Sequence, residues 1–262
     1  MKKLLAILLA AILCVGLMAG CGQTTIIVNM GGEDEAEETP VATETPENTP
    51  EAAESEAPVV DDTPLPEGQL KTGLAIVSVV SSSSKAASAD ADGLAQADTT
   101  FVSVLVDGDG VIKDCLIDCV QTKIAVSATG EILTAADTAF DSKIVLDDAY
   151  DMRKASPIGA EWDEQANFLA DYVTGKTLDE VKGIAIDDGG KPTDADITTG
   201  CTMNIAEILT AVENAVANAK VLGAGVDDTL YMNCNAIVSS SSKAASADGD
   251  GNAQADVTVG AY

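Results

Sequence analysis

The sequence of 262 residues contains no histidine and only one arginine, Arg153. Without histidine the chain cannot build a Ser-His-Asp or Cys-His catalytic group, or a histidine-ligated zinc or haem site. A single arginine also argues against multi-arginine sites for phosphorylated substrates. Aromatic residues make up 3% of the chain, so any core must be built mainly from Ala, Val, Ile and Leu.

Basic residues are scarce as well. Lysine and arginine total 14 against 43 aspartates and glutamates, which gives a formal net charge of −29. A chain this acidic repels phosphate backbones, so we expect no nucleic-acid partner.

Residues 1–20 have the features of a lipoprotein signal peptide. Lys2 and Lys3 precede an apolar run over 4–17, which is shorter than the ~20 residues that a spanning helix needs. The run ends in Ala19-Gly20-Cys21, which resembles the lipobox of bacterial lipoproteins. The resemblance implies cleavage before Cys21, lipidation of that cysteine and anchoring to the cell membrane on its extracytoplasmic face. An ordinary secretory signal with an incidental Cys21 is the alternative.

An acidic, proline-rich segment follows. Residues 31–68 contain 13 acidic residues and six prolines, with no lysine or arginine. Such a composition cannot bury enough apolar surface to offset the entropy of ordering. We therefore predict that residues 21–69 form the lipidated cysteine and a disordered tether that holds a folded head away from the membrane.

The remaining chain contains an internal repeat. Residues 80–104 and 238–262 match at 18 of 25 positions. Either the second copy opens a further, incomplete unit, or it forms a hairpin that completes the sheet of the first unit. Because the match stops at the chain end and not at a turn, we favour a folded domain over 70–228 and an incomplete repeat unit over 229–262.

Periodicity predicts strands first and helices after. Segments 70–81, 95–106, 111–120 and 122–126 are rich in Val, Ile and Thr, and Asp107-Gly108-Asp109-Gly110 is typical of a hairpin turn. Helical periodicity covers 146–154, 161–173, 178–181 and about 204–220, with a short strand at 183–186. This order favours an α+β fold with an antiparallel-rich sheet and packed helices.

The cysteines of this region do not form an obvious disulfide framework. Cys115 and Cys119 lie four residues apart on one face of a predicted strand, about 13 Å from each other, which is too far for a disulfide. We expect buried thiols, although pairing of Cys234 with either of them stays open.

The segment with the clearest functional signal lies directly before the last helix. Thr198, Thr199 and Thr202 place three hydroxyls around Gly200, where a backbone can approach a ligand closely. The free N–H groups of the following helix could bind a phosphate. The alternative is structural: Thr199 or Thr202 caps the helix and no ligand is bound.

Residues 196–202 resemble the D-x-x-[ST]-G-A-[ST] motif of the FMN-binding domain family. That family includes the C subunit of the sodium-translocating NADH:quinone reductase, the G subunit of the related electron-transport complex, and many surface lipoproteins. The resemblance implies that a flavin transferase joins the phosphate of FMN to the hydroxyl of Thr202. The other matched positions are Asp196, Thr199, Gly200 and Cys201, the last standing where the family has alanine.

A second segment supports the same resemblance. Ser156-Pro157-Ile158-Gly159 is similar to the T-P-G-L-G loop that approaches the flavin in this family, with one glycine missing. Trp162, Tyr150 and Tyr172 are candidates for stacking on the flavin ring, and core packing is the alternative for each.

The resemblance implies an electron carrier with covalent FMN, more than an enzyme that turns over a substrate. A membrane electron donor and an extracellular acceptor would be its partners. The alternative is a flavin-free surface lipoprotein that binds a solute or another protein.

Overall fold

The computed structural model describes residues 22–29, 65–88, 90–239 and 252–261, of which 22–29 and 252–253 are described by their backbone alone. The predicted signal peptide, Cys21 and residues 30–64 lie outside the described residues. The strands are β1 (Gly22–Asn29), β2 (Gln69–Val80), β3 (Gly93–Val106), β4 (Ile112–Val126), β5 (Ala139–Asp141), β6 (Lys220–Gly225), β7 (Cys234–Val238) and β8 (Asn252–Ala261). The helices are α1 (Lys143–Leu146), α2 (Trp162–Val173), α3 (Leu178–Lys182), α4 (Ala195–Thr198) and α5 (Ala206–Ala217), with a 3₁₀ turn over Asp147–Tyr150.

The strands form two antiparallel four-stranded sheets. The first has the order β4-β3-β2-β6 and the second the order β1-β8-β7-β5. Together with the packed helices they confirm the predicted α+β class and the antiparallel-rich sheet.

The β3–β4 hairpin is set by the predicted turn. Asp107 accepts hydrogen bonds through Oδ1 from the backbone N–H of Asp109 (3.0 Å) and of Val111 (2.9 Å). Gly110 has a φ of 79°, a backbone conformation that glycine adopts readily and other residues rarely adopt. The local chemistry of Asp-Gly-Asp-Gly therefore fixes this turn.

Helices cover one face of the first sheet. Side chains of α2 and α5 form a core with the alternate positions of β3 and β4 that point toward them, among them Val102, Val104, Cys115 and Ile117. Helix α5 lies so close to β2 that a Cβ at Gly73 would collide with the carbonyl oxygen of Ala215. Gly73 thus allows helix and sheet to pack in direct contact.

The second sheet covers the other face. Phe101, Val120 and Ile124 of the first sheet pack against Ala236 of β7 and Val257 of β8, all of them buried. Strands β7 and β8 thus share a core with the first sheet, and a division at 228/229 would separate two parts of that core. The strands of the second repeat copy therefore belong to the second sheet, packed on the first, and do not extend the first sheet.

The two repeat copies occupy equivalent hairpins. Gln96 donates to Asp98 at 2.9 Å after the first loop, and Gln254 donates to Asp256 at 2.8 Å after the second. The pairing differs by two residues, since Val80 pairs with Ala97 whereas Val238 pairs with Val257. A shift of two keeps every side chain on its face of the sheet, because strands have a period of two residues.

Several element predictions are wrong. Residues 22–29, predicted to belong to the tether, form strand β1, because this uncharged stretch of Thr, Ile and Val precedes the acidic run and pairs with β8. The predicted helix over 146–154 is a short α1 followed by a 3₁₀ turn, and 183–186 form no strand. The last helix, predicted over about 204–220, spans Ala206–Ala217, and edge strand β6 begins at Lys220.

All four described cysteines are buried free thiols: Cys115, Cys119, Cys201 and Cys234. Burial, and to a smaller extent Asp114, raises the pKa of Cys115 to about 12, and burial raises that of Cys201 to about 11. Cys234 donates to Asp118 Oδ2 at 3.2 Å in the core between the sheets. Cys234 is thus not paired with Cys115 or Cys119 in the structure.

These thiols predict a loss of stability at alkaline pH. Below pH 9.0, the ordinary cysteine pKa, both folded and unfolded chains hold their thiol protons. Above it the unfolded chain ionises first, so the free energy of unfolding should fall as the pH rises toward 11. Urea titrations between pH 7 and 10.5 check this, with thiol labelling of the native protein expected to be slow throughout. Rapid labelling of the native protein at pH 8 would contradict the described burial.

Candidate functional site

Helix α2 carries the residue that connects the two predicted site segments. Its N-cap Glu161 and Glu164 form a capping box, which fixes where the helix begins. The buried stripe of the helix contains Trp162, Gln165, Ala166, Leu169, Ala170 and Val173. Gln165 is the polar member of this apolar stripe and is 0% exposed.

Both ends of the Gln165 amide are bonded. Its Oε1 accepts from the backbone N–H of Thr202 at 2.8 Å and lies 3.3 Å from the Thr202 hydroxyl. Its Nε2 donates to the Ser156 hydroxyl at 3.3 Å and to the Ala160 carbonyl at 3.2 Å. One buried side chain therefore joins the 156–159 loop to Thr202, segments that are far apart in sequence.

The matched residues before Thr202 differ in exposure. Asp196 and Thr199 are exposed, and the Thr199 hydroxyl donates to the Asp196 carbonyl at 2.8 Å. Cys201 is fully buried. A Cβ at Gly200 would collide with the ring of Phe168, so only glycine allows the segment to pack on α2 here.

Thr202 has no capping role. Helix α5 begins at Ala206, whose N–H is accepted by Asn204 Oδ1 at 2.9 Å, and no side chain at the N-cap Ile205 makes a capping bond. The capping interpretation of Thr199 and Thr202 is therefore wrong. The expectation that Thr202 adjoins the free N–H groups of the helix is also wrong, because three residues lie between Thr202 and Ala206.

The 156–159 loop forms a tight turn with an exposed apolar tip. Gly159 has a φ of 67° and its N–H donates to the Ser156 carbonyl at 3.1 Å. Pro157 is exposed and Ile158 is 39% exposed. The loop thus exposes an apolar surface at its tip, while Ser156 at its start is hydrogen-bonded to Gln165.

Buried Glu161 and the only arginine hold the chain that leads into this loop. Glu161 accepts from the backbone N–H of Met152 (2.8 Å) and of Arg153 (3.0 Å). The Arg153 guanidinium contacts Glu164 at 2.8 Å and Asp148 at 2.9 Å. The backbone N–H of Glu161 and then Arg153 hold the pKa of Glu164 below its ordinary value.

The three stacking candidates lie in different surroundings. Trp162 is 5% exposed and packs in the core, with Lys143 Nζ 4.9 Å from its ring centroid. It is therefore not exposed for stacking on a flavin, and the core interpretation holds for this residue. Tyr150 and Tyr172 are half-buried, and Lys176 Nζ lies 4.2 Å from the ring centroid of Tyr172. Burial and then Asp194 and Asp196 raise the pKa of Tyr172.

Two shallow cavities lie near these tyrosines. One of about 250 Å³ is lined by Tyr172, Asp194 and Ile197, and the other, of about 380 Å³, by Tyr150, Lys143 and Gln121. Thr202 lines neither of them. Neither cavity is therefore a pocket for a group attached to Thr202.

Comparison with known proteins adds no assignment. No family model, curated protein or solved structure matches this chain. Within the described residues, no group of three or more cysteine, aspartate or glutamate side chains is placed to hold a metal ion. The same part of the chain has no helix that is long and apolar enough to cross a membrane. The hypothesis for the site thus depends on its geometry.

Sequence reasoning missed Gln165 and Glu161, the two buried polar residues that organise the site. A signal for Gln165 was present, because it falls on the apolar stripe of a predicted helix, where a polar residue needs hydrogen-bond partners. For Glu161, a glutamate directly before a helix indicates a helix cap. It does not indicate that its carboxylate also accepts hydrogen bonds from backbone N–H groups eight and nine residues earlier.

Proposed function

We propose that this chain is a membrane-anchored extracytoplasmic flavoprotein that carries electrons through FMN attached covalently to Thr202. The observation that carries the proposal is the contact through Gln165. Two segments that resemble the FMN-binding family independently, 156–159 and 196–202, adjoin the same side chain.

Thr202 has the properties that an attachment site needs. Its side chain is half-buried and its hydroxyl has no capping role, whereas its backbone N–H is held by Gln165. The hydroxyl oxygen would lose its proton and attack the flavin-bearing phosphorus of a flavin dinucleotide. The phosphoester would form as the diphosphate bond breaks and the nucleoside monophosphate leaves, while the backbone bond keeps Thr202 in place. Flavin transferase is the partner required for this step.

FMN, when bound, would supply reversible uptake of electrons. The chain would contribute the exposed apolar tip of the 156–159 loop, against which a flavin ring could pack, and the carboxylates of a chain with a net charge of −29. Negative charge disfavours an anionic reduced flavin, so we expect a low reduction potential. A membrane electron donor and an extracellular acceptor would be the redox partners.

The test is the mass of one tryptic peptide. Trypsin does not cut between Lys191 and Pro192, so the peptide that contains Thr202 spans 183–220. In protein made together with an active flavin transferase, we expect this peptide to carry FMN. An unmodified peptide, from cells in which a control flavoprotein is modified, would overturn the proposal and favour the flavin-free surface module.

The membrane anchor makes a separate prediction. In a Cys21→Ala variant the precursor should remain uncleaved and lack lipid, because the lipobox cysteine is both the acceptor of the lipid and the residue after the cut. Detergent-phase partitioning and intact mass of the mature protein measure both effects, with Cys14→Ala as the matched control. Normal processing and membrane retention of the Cys21→Ala protein would rule out the lipobox.

A further inference from the structure

Strand β1 joins the predicted lipid site directly to the folded head. It starts at Gly22, the residue after Cys21, and pairs with β8 at all eight of its positions, from Gly22–Val259 to Asn29–Asn252. A chain paired in this way holds Cys21 within one residue of the sheet. This arrangement differs from a head held away from the membrane by the acidic segment.

The pairing also identifies which end of the head lies beside Cys21. Val259 pairs with both Gly22 and Ala236, so these three residues form one row across the second sheet. Cys234, the first residue of β7, lies two residues further toward that end. The connection 226–233 leads into β7 there. Leu230 of this connection donates to Asp114 Oδ2 at 3.4 Å, which places the start of β4 at the same end.

This end carries exposed apolar side chains. Tyr231 is 82% exposed and Val226 is 62% exposed. Tyr231 is three residues from Cys234, within about 10 Å along the chain. The Val226 N–H donates to the Gly68 carbonyl at 3.0 Å, next to the start of β2. Tyrosine is favoured at membrane interfaces, where one end of its ring is apolar and the other is wet.

We infer that the head docks on the phospholipid bilayer through the end that contains Gly22, Val226 and Tyr231, with β1 as its attachment. In this arrangement the acidic segment connects the far end of β1 to the start of β2 and does not separate the head from the membrane. Strand β1 covers about 26 Å, and the residues from 30 to 68 can span several times that distance. This inference depends on the lipid anchor of the proposed function but not on the flavin.

The first experiment tests the pairing of β1 in the full-length, membrane-bound chain. Gln23 and Thr258 are directly opposite each other in the register, so a Gln23→Cys/Thr258→Cys pair should form a disulfide on mild oxidation. The matched control is Gln23→Cys/Gln254→Cys, because Gln254 lies opposite Ile27 and should not be reached. A missing cross-link in the first pair, or equal cross-linking in both, would overturn the docking.

The second experiment measures contact with lipid. Tyr231→Trp and Val80→Trp place a tryptophan at opposite ends of the head, since β2 begins at the end proposed to dock and Val80 is its last residue, 52% exposed. In phosphatidylcholine vesicles with brominated acyl chains, we expect loss of fluorescence from position 231 and none from position 80. Buried Trp162 contributes equally to both variants. Equal quenching at the two positions would overturn the docking.

Detergent-phase partitioning of the same preparations separates the two hypotheses. A chain that partitions into detergent but fails the cross-linking and quenching tests keeps its lipid anchor and loses the docking. A chain that stays in the aqueous phase has no lipid anchor, and both hypotheses then fail.

Discussion

A Thr202→Val protein should carry no covalent FMN, whereas a Thr202→Ser protein should be labelled like the wild type. Valine keeps the branched shape of threonine but has no hydroxyl to form the phosphoester, and serine keeps the hydroxyl. In-gel flavin fluorescence and the mass of peptide 183–220 give the result directly. We expect complete loss of covalent FMN in Thr202→Val and full retention in Thr202→Ser.

The fold should tolerate both changes. The bond from the Thr202 N–H to Gln165 is unaffected by the side chain, and the hydroxyl contact of 3.3 Å is the one that is lost. A single hydrogen bond of this kind contributes about 1 kcal/mol. Urea unfolding should therefore show a fall of about that size for Thr202→Val, so missing flavin cannot be ascribed to unfolding.

Thr199 provides the matched control, because its hydroxyl is exposed and donates to a backbone carbonyl of its own turn. Thr199→Val should weaken attachment without abolishing it. Labelling of the Thr202→Val protein on the same peptide would mean that another hydroxyl is the acceptor, and Thr198 and Thr199 would be the residues to test next.

The sequence predicts elements well where local chemistry determines them. Helix α2 begins within one residue of its predicted start because Glu161 and Glu164 form a capping box. The Asp107 turn follows from a side chain that bonds the backbone two and four residues on. These interactions span a few residues and can be recognised without knowledge of the fold.

The errors occur where distant segments decide the outcome. Strand β1 exists because β8 offers it a partner more than 220 residues away in the chain. Trp162 suits a stacking role by type but lies on the stripe of α2 that faces the sheet, so it is buried. Helix α5 begins later than predicted. Asn204, and not Thr202, accepts the hydrogen bond from the first helical N–H, that of Ala206.

The two segments of the candidate site were predictable from the sequence, but their proximity in the fold was not. Residues 156–159 and 196–202 were identified by their motifs, and nothing in either motif indicates a shared partner. The partner is a buried amide 37 residues from Thr202, and its effect depends on how α2 packs. Gln165 is therefore the residue at which the candidate site and the stability of the fold can be tested together.

Gln165→Leu should destabilise the protein by about 2–4 kcal/mol, since each buried polar group left without a partner costs about 1–3 kcal/mol. Leucine has a similar size but leaves the Thr202 N–H and the Ala160 carbonyl unbonded, and Ser156 loses a donor. Where the variant is folded, it should also be labelled poorly by flavin transferase, because the 156–159 loop and Thr202 are no longer joined.

Two further variants separate packing from hydrogen bonding. Asn167→Leu makes a similar exchange on the exposed side of α2 and should change the free energy of unfolding by less than about 0.5 kcal/mol. Gln165→Glu keeps an acceptor for the Thr202 N–H but places a buried carboxylate against the Ala160 carbonyl, so it should be destabilised and recover as the pH is lowered. Urea titrations at pH 5 and pH 8 measure this. If Gln165→Leu is as stable as Asn167→Leu and is fully labelled, Gln165 does not organise the site.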